Sequence, residues 1–200
     1  MALLAPAAAN AATLTSANGV IFYVADQGER NDVVVNTSTA FGGTVPIYTF
    51  KDADANPINT VGACELVNGV GQCTRFGVGS MFINVRDRDD TVLISTAGEQ
   101  NQQPAILLST IIGGRGNDNL MGGFGPDILK GNNGRDALRG RQGADVYKGG
   151  RGSDTLQTLD GQHDTFISCG NGRRDLVRAD KRDPKPKGCE LGGRKPGKRF

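Results

Sequence analysis

Tryptophan is absent from the 200-residue sequence, and aromatic residues make up only 6% of it. A large core of big rings is therefore excluded, and some regular, repetitive backbone must take its place. No apolar run reaches the roughly eighteen residues that a membrane-spanning helix needs, so we expect no transmembrane segment beyond the extreme N-terminus. The single histidine, His163, has no C-x2-C pair to join it in a structural zinc site.

Glycine is abundant instead, with 30 of the 200 residues, which is about twice its average usage. The net charge of +2 hides an uneven distribution, because residues 173–200 carry 11 Lys and Arg against 4 Asp and Glu. Pro184, Pro186 and Pro196 exclude a long helix there. We interpret residues 191–200 as a basic disordered tail; the alternative is a contact with a polyanion or an anionic surface.

The four cysteines are even in number and lack the spacing of a metal site, which favours two disulfides and an oxidising compartment. The N-terminus agrees with export. Its apolar stretch ends in Ala9-Asn10-Ala11, which has the form of a signal cleavage site, although the charged region before it is missing. We interpret residues 1–12 as a truncated signal-peptide remnant, with a flexible Ala-rich terminus as the alternative. The protein is then expected to be secreted, extracellular or on the cell surface.

A nine-residue repeat begins at Gly113 and runs through five consecutive units, ending at Gln157. Glycine occupies the first and fourth positions of every unit, and aspartate occupies the sixth. Five phased copies of such a pattern are hard to obtain from low-complexity sequence. The eighth position is always a large aliphatic residue or a tyrosine: Leu120, Leu129, Leu138, Tyr147 and Leu156.

This pattern resembles the RTX, or haemolysin-type, calcium-binding repeat G-G-x-G-x-D-x-U-x. The resemblance implies an all-β fold, a right-handed parallel β-roll (a β-helix of nonapeptide repeats) with a β-rich N-terminal cap. It also implies several bound Ca²⁺ ions. The residues expected to bind them are Gly113, Gly114, Gly116, Asp118, Gly122, Gly123, Gly125, Asp127, Gly131, Gly134, Asp136, Gly140, Gly143, Asp145, Gly149, Gly150, Gly152 and Asp154.

The residue types suit this geometry. Glycine allows a tight turn, the x-U-x segment forms a short strand, and two units make one flattened coil. Residues eighteen apart then stack about 4.8 Å from each other, with the U residues pointing inward. Calcium is bound by oxygen, which the aspartates and the peptide carbonyls of the turns supply. Alternate aspartates should line two edges: Asp118, Asp136 and Asp154 on the first edge, and Asp127 and Asp145 on the second.

Two units depart from the pattern, because Asn132 and Arg141 replace the second glycine. Arginine tolerates a positive φ poorly, so we expect weaker sites at these middle turns. Basic residues are also interleaved with the aspartates, and they should soften repulsion in the calcium-free state and lower the affinity for a dication. The alternative is that they form an ordinary solvated face: Arg115, Arg135, Arg139, Arg141, Lys148 and Arg151.

Residues 13–112 have the alternation of short strands, predicted at 19–25, 32–38, 45–50, 82–85, 91–95 and 105–112. The exposed first coil of a roll needs a cover, so this segment is expected to be a β-rich N-terminal cap, followed by the repeats at 113–157. Asp87, Asp89 and Asp90 form either a degenerate calcium turn or a polar hairpin tip.

The period breaks after Gln157, and residues 158–190 resemble the C-terminal cap of the same family. A disulfide between Cys169 and Cys189 would join this cap to the basic segment, and one between Cys64 and Cys73 would close a small loop. Asp164 lies outside the period, so we expect it to matter less than the repeat aspartates.

The resemblance implies calcium binding by a secreted β-roll protein whose fold is driven or stabilised by extracellular calcium. The alternative is a surface adhesion or matrix-binding module, in which calcium is only structural and the partner is a polyanionic or cell-wall surface. The H-E-x-x-H and G-x-S-x-G motifs of enzymes that often carry such repeats are absent, so no enzymatic activity is expected. No nucleic acid partner is expected either.

Overall fold

The computed structural model describes residues 12–40, 45–53, 58–74, 78–95 and 108–190. Within these residues the only regular elements are β-strands, which confirms the all-β class. The strands are β1 (Thr13–Ala17), β2 (Val20–Val24), β3 (Asp32–Ala40), β4 (Val45–Asp52), β5 (Asn59–Gly62), β6 (Cys64–Val67), β7 (Val70–Thr74), β8 (Ser80–Asn84), β9 (Thr91–Ser95), β10 (Leu108–Arg115), β11 (Asn119–Met121), β12 (Asp127–Asn133), β13 (Ala137–Arg139), β14 (Val146–Arg151), β15 (Thr155–Thr158), β16 (Phe166–Gly170) and β17 (Leu176–Ala179).

From β8 onward, successive strands alternate between two sheets. One sheet has the order β16-β14-β12-β10-β8-β2-β1-β5, and the other has the order β17-β15-β13-β11-β9-β3-β4-β7-β6. The repeat strands pair in parallel with partners eighteen residues away: Ile128 pairs with Val146, and Leu120 pairs with Leu138. The predicted stacking of alternate repeats is therefore confirmed.

The same two sheets continue on the N-terminal side of the repeats. Strands β2 and β8 pair in parallel in one sheet, and β3 and β9 do so in the other. Strand β10 runs across Gly113, the residue at which the repeats begin in the sequence. The six predicted strands correspond to β2, β3, β4, β8, β9 and β10, while positions 105–107 lie outside the described residues.

Strands β1, β5, β6 and β7 were not predicted, and together with β4 they occupy one end of each sheet. Most of them pair in antiparallel fashion, as β3 does with β4 and β4 with β7. Strands β5 and β6 are the outermost members of their sheets. At the other end, β16 and β17 follow the last repeat strands in parallel.

The core lies between the two sheets and contains the U residues of all five repeats. Leu120, Leu129, Tyr147 and Leu156 are fully buried, and Leu138 is 1% exposed. Burying each of these side chains stabilises the fold by about 1.5–3 kcal/mol. The same alternation of inward and outward side chains continues in the upstream strands, for example in β2 and β9.

Both predicted disulfides are confirmed, and none of the four cysteines is free. Cys64 and Cys73 face each other across the antiparallel pair β6 and β7. The part of the chain that the structure describes contains no helix long and apolar enough to cross a membrane. The predicted tail at 191–200, and all but the last residue of the predicted signal remnant, lie outside the described residues.

Candidate metal centre

The repeat aspartates form two stacks, each in a row of turns that joins one sheet to the other, and these two rows are the first and second edges. On the first edge, Asp136 Oδ1 accepts the backbone N–H of Asp118 at 2.9 Å, and Asp154 Oδ1 accepts that of Asp136 at 3.0 Å. On the second edge, Asp145 Oδ1 accepts the backbone N–H of Asp127 at 2.8 Å. The predicted division of the aspartates between two edges is therefore present in the structure.

The first-edge stack extends beyond the repeats in both directions. Upstream, Asp118 Oδ1 accepts the N–H of Asp90 at 3.0 Å, and Asp90 Oδ1 accepts the N–H of Asn31 at 2.7 Å. Downstream, Asp175 Oδ1 accepts the N–H of Asp154 at 2.8 Å. Asp90 is 2% exposed, so it is a buried member of the stack rather than part of a polar hairpin tip.

The second-edge stack also continues past the repeats. Asp164 Oδ1 accepts the N–H of Asp145 at 3.1 Å, and Asp183 Oδ1 accepts the N–H of Asp164 at 3.1 Å. Asp164 is completely buried. The one additional residue before Asp164 leaves the stacking intact, and the smaller importance of this aspartate than that of the repeat aspartates remains a prediction.

Glycine is required where the turns of successive coils touch. Gly134 has φ +141°, and a Cβ at this position would overlap the carbonyl oxygen of Gly116 in the coil before. The first glycine of each unit has a different role. A Cβ on Gly113 would overlap the carboxylate of Asp118, so this glycine makes room for the buried acid. The repeat pattern thus follows from contacts inside the stack.

Asn132 and Arg141 both adopt φ +77°, as the two departures from the repeat predicted. A positive φ is uncommon for residues other than glycine. The Arg141 side chain extends past the neighbouring coil to β9, two strands away from β13, where Nη1 donates a hydrogen bond to Ile94 O at 3.0 Å. Burial lowers the pKa of the Arg141 guanidinium, and the charge of the nearby Arg139 lowers it further.

Among the repeat aspartates, the two edges differ in how the second carboxylate oxygen is used. On the first edge, these Oδ2 atoms are buried and have no hydrogen-bond partner among the described residues. On the second edge, Asp127 Oδ2 accepts the N–H of Gly123 at 2.8 Å, and Asp145 Oδ2 accepts the hydroxyl of Tyr147 at 3.3 Å. The unpartnered first-edge oxygens belong to Asp90, Asp118, Asp136, Asp154 and Asp175.

Buried oxygens without a partner are rare in folded proteins because each one costs free energy. A column of anionic oxygens with free lone pairs is a donor set that a hard cation satisfies, and calcium is bound through oxygen alone. The residues on the first edge therefore fit calcium.

Burial also changes the acidity of the stacked aspartates. It raises the pKa of Asp118 to about 7, and those of Asp136 and Asp154 to about 6. Neighbouring carboxylates in the same stack raise these pKa values further, while the backbone hydrogen bonds lower them. On the second edge, burial raises the pKa of Asp145 to about 7 and that of Asp164 to about 8. Ionising these groups in the calcium-free fold is thus unfavourable.

Comparison with known protein families gave a match over the repeats. Residues 109–129 and 121–156 match the RTX calcium-binding nonapeptide repeat, in 4 copies. Neither the comparison with curated proteins nor that with solved structures gave a match. The matched residues contain the five repeat aspartates, whereas Asp90, Asp164, Asp175 and Asp183 lie outside them.

Proposed function

Because this chain carries RTX calcium-binding nonapeptide repeats, which imply calcium binding, we propose that it is an exported protein that binds several Ca²⁺ ions outside the cell. Extracellular calcium would then drive or stabilise its fold. The function is one of binding, without catalysis, in keeping with the missing protease and lipase motifs.

The observation that carries this proposal is the column of buried, unpartnered Oδ2 atoms on the first edge. Each coil contributes one such oxygen, and the hydrogen bonds between coils hold them in register. The eighteen repeat glycines and aspartates named in the sequence analysis are the proposed ligand residues. Aspartates would supply carboxylate oxygens, and the turns would supply peptide carbonyls.

We propose that the repeats and the strands on either side form a right-handed parallel β-roll. Residues 13–112 would cover one end, which is supported by the outermost positions of β5 and β6. Residues 158–190 would cover the other, which is supported by the disulfide between Cys169 and Cys189. Two disulfides in a chain of this size are typical of an oxidising compartment, and this supports export.

Calcium would couple to folding because it is expected to bind the stacked turns and not the unfolded chain. An ion that binds only the folded state stabilises it by about 2.7 kcal/mol per site when its concentration is a hundredfold above its Kd. Several sites in one stack would make the stabilisation large and cooperative, since each coil rests on its neighbours.

The direct test is a calorimetric titration of the chain with calcium, with circular dichroism before and after chelation. We expect binding of more than one ion, and a loss of β-structure or of thermal stability when calcium is removed. A magnesium titration is the control, because Mg²⁺ demands a smaller, more rigid octahedral site. No calcium binding, or binding without any change in stability, would contradict the proposal.

A second candidate is adhesion to a polyanionic surface, with calcium only structural. The observation that favours it is a cleft lined by Arg139, Arg141, Arg178 and Phe124. Arg139 and Arg178 are exposed and flank Gln157 at paired positions of three neighbouring strands. Guanidinium groups recognise carboxylates and sulfates well. Retention on heparin that R139Q and R178Q reduce together, with calcium present, would support this function.

A further inference from the structure

Two carboxylates in the turn that follows the last repeat form a cluster with the repeat aspartate Asp145. One oxygen from each of Asp145, Asp160 and Asp164 lies within 4.8 Å of the others. Asp164 is completely buried, and its Oδ2 has no hydrogen-bond partner among the described residues. Asp160 Oδ2 is buried and unpartnered in the same way. We propose that this cluster is a separate binding site for one divalent cation of the calcium type.

The chain holds Asp160 in place for this role. Its Oδ1 accepts the N–H of Gln162 at 2.7 Å, which leaves Oδ2 available. Its own N–H and that of Gly161 both donate to Asp180 Oδ2, at 3.0 and 2.8 Å. The turn is therefore fixed by backbone hydrogen bonds, and one carboxylate oxygen of Asp160 remains unused.

This turn differs from the repeat turns in its length and its acids. The interval from Asp145 to Asp164 is 19 residues, whereas stacked repeat aspartates are 18 apart. The interval also contains Asp160, so a single turn provides two carboxylates. On the second edge, where Asp127 and Asp145 have both oxygens engaged by the chain, this turn adds the free oxygens that the repeats lack.

The donor set selects the class of ion. All three ligands are carboxylates, which favour hard cations such as calcium over zinc or copper. The adjacent His163 is exposed, so the cluster offers no buried nitrogen donor from that residue. None of the three carboxylates forms a hydrogen bond with a lysine or arginine within the described ranges. A cation from solution is therefore the missing counter-charge. The site uses two residues outside the matched repeats, and it depends on the proposed function only for the choice of calcium.

Tyr147 makes this site observable by spectroscopy. Its hydroxyl donates a hydrogen bond to Asp145 Oδ2 at 3.3 Å, so a cation in the cluster would lie close to the ring. The chain has three tyrosines and no tryptophan, which leaves tyrosine as the sensitiser for bound terbium. Tb³⁺ is the probe, since it takes the oxygen sites of calcium and emits when a nearby tyrosine is excited.

The test compares the full wild-type chain with D160N, D180N and Y147F by calcium calorimetry and by terbium emission. D160N should bind one calcium ion fewer and lose the part of the emission that Tyr147 sensitises, whereas Tyr23, which lies beside Asp90, would sensitise ions on the first edge.

E65Q is added as the matched control, because Glu65 is an exposed carboxylate on β6, at the opposite end of the two sheets, and it should keep both. D180N should bind this ion more weakly, because Asp180 accepts the N–H groups that hold the turn without itself belonging to the cluster. Y147F should keep the calcium count and lose the same part of the emission as D160N.

Wild-type stoichiometry and emission in D160N would overturn the site. This result is distinct from failure of the proposed function, in which the wild-type chain itself binds no calcium. If D160N does not fold, Asp160→Lys tests the same point, because its ammonium would take the place of the cation. A folded D160K chain with one ion fewer supports the site, and one with an unchanged count overturns it.

Discussion

Asp136 lies in the middle of the first-edge stack, and replacing it by asparagine tests whether one buried carboxylate serves two neighbouring ions. Its Oδ1 accepts the N–H of Asp118, its own N–H donates to Asp154, and its Oδ2 has no partner. Asparagine retains an oxygen for the Asp118 N–H. It removes the negative charge and the free oxygen that calcium would use.

The expected effect depends on whether calcium is present. Each ion contributes about 2.7 kcal/mol to stability at a hundredfold excess over its Kd, so loss of two shared ions would cost about 5 kcal/mol. Without calcium, D136N removes a charge whose buried pKa is raised to about 6, which relieves about 3 kcal/mol at neutral pH. The new amide hydrogens lack acceptors, which costs about 1–3 kcal/mol. The two effects partly cancel, so we expect D136N in chelator to be no less stable than the wild type and more stable by at most about 2 kcal/mol.

Asp127→Asn is the matched control on the second edge. The two oxygens of Asp127 already accept hydrogen bonds from Ser109 Oγ and the N–H of Gly123. It has Asp145 on one side only in its stack, so it would serve one ion and its replacement would cost at most about 3 kcal/mol with calcium present.

The measurements are calcium stoichiometry by calorimetry and urea unfolding followed by circular dichroism, each at neutral pH. Unfolding is recorded in millimolar calcium and in chelator for the wild type, D136N and D127N. Equal losses of calcium in the two variants would refute the sharing of ions within the first-edge stack. So would a large destabilisation of D136N in chelator alone.

Three further results are expected. Gly134→Ala should destabilise the protein by several kcal/mol, because the new Cβ would overlap a backbone carbonyl at φ +141°. Gly28→Ala is its control: this glycine has φ +81° and open space around it, so the cost in urea unfolding should be only about 1 kcal/mol. Similar costs for the two variants would contradict this account of the stack. In chelator, the urea midpoint of unfolding should fall as the pH rises from about 4 to about 8. Burial raises the pKa of the stacked aspartates to between about 6 and about 8, so the folded state holds their protons more tightly than the unfolded chain and loses stability as they ionise. A constant or rising midpoint would show that these aspartates are solvated. The double variant C169S/C189S should lose about 3 kcal/mol of stability, because it removes the cross-link between these two residues. Peptide mapping of the native chain should recover this pair and no free thiol. A cross-link from Cys64 to Cys169 would disprove the pairing.

The sequence alone determined the repeat part of the structure, because every feature of it is local or periodic. The nine-residue spacing places Leu120 and Leu138 on neighbouring strands of one sheet, facing the core. It also assigns Asp118 and Asp136 to one edge. The disulfides were predicted from the even number of cysteines and from their positions, since one pair precedes the repeats and the other follows them.

Only the tertiary structure showed which aspartates outside the repeats belong to the stacks. Asp90 and Asp118 are 28 residues apart, and Asp154 and Asp175 are 21 apart, yet both pairs make the same hydrogen bond as the repeat aspartates. A stack needs one acceptor at the right height of each coil, whatever length of chain lies between. Periodicity cannot detect such a residue, because the connecting loop changes the count without moving the edge. For the same reason Asp160 was missed, since only the folded turn brings its carboxylate to the oxygens of Asp145 and Asp164.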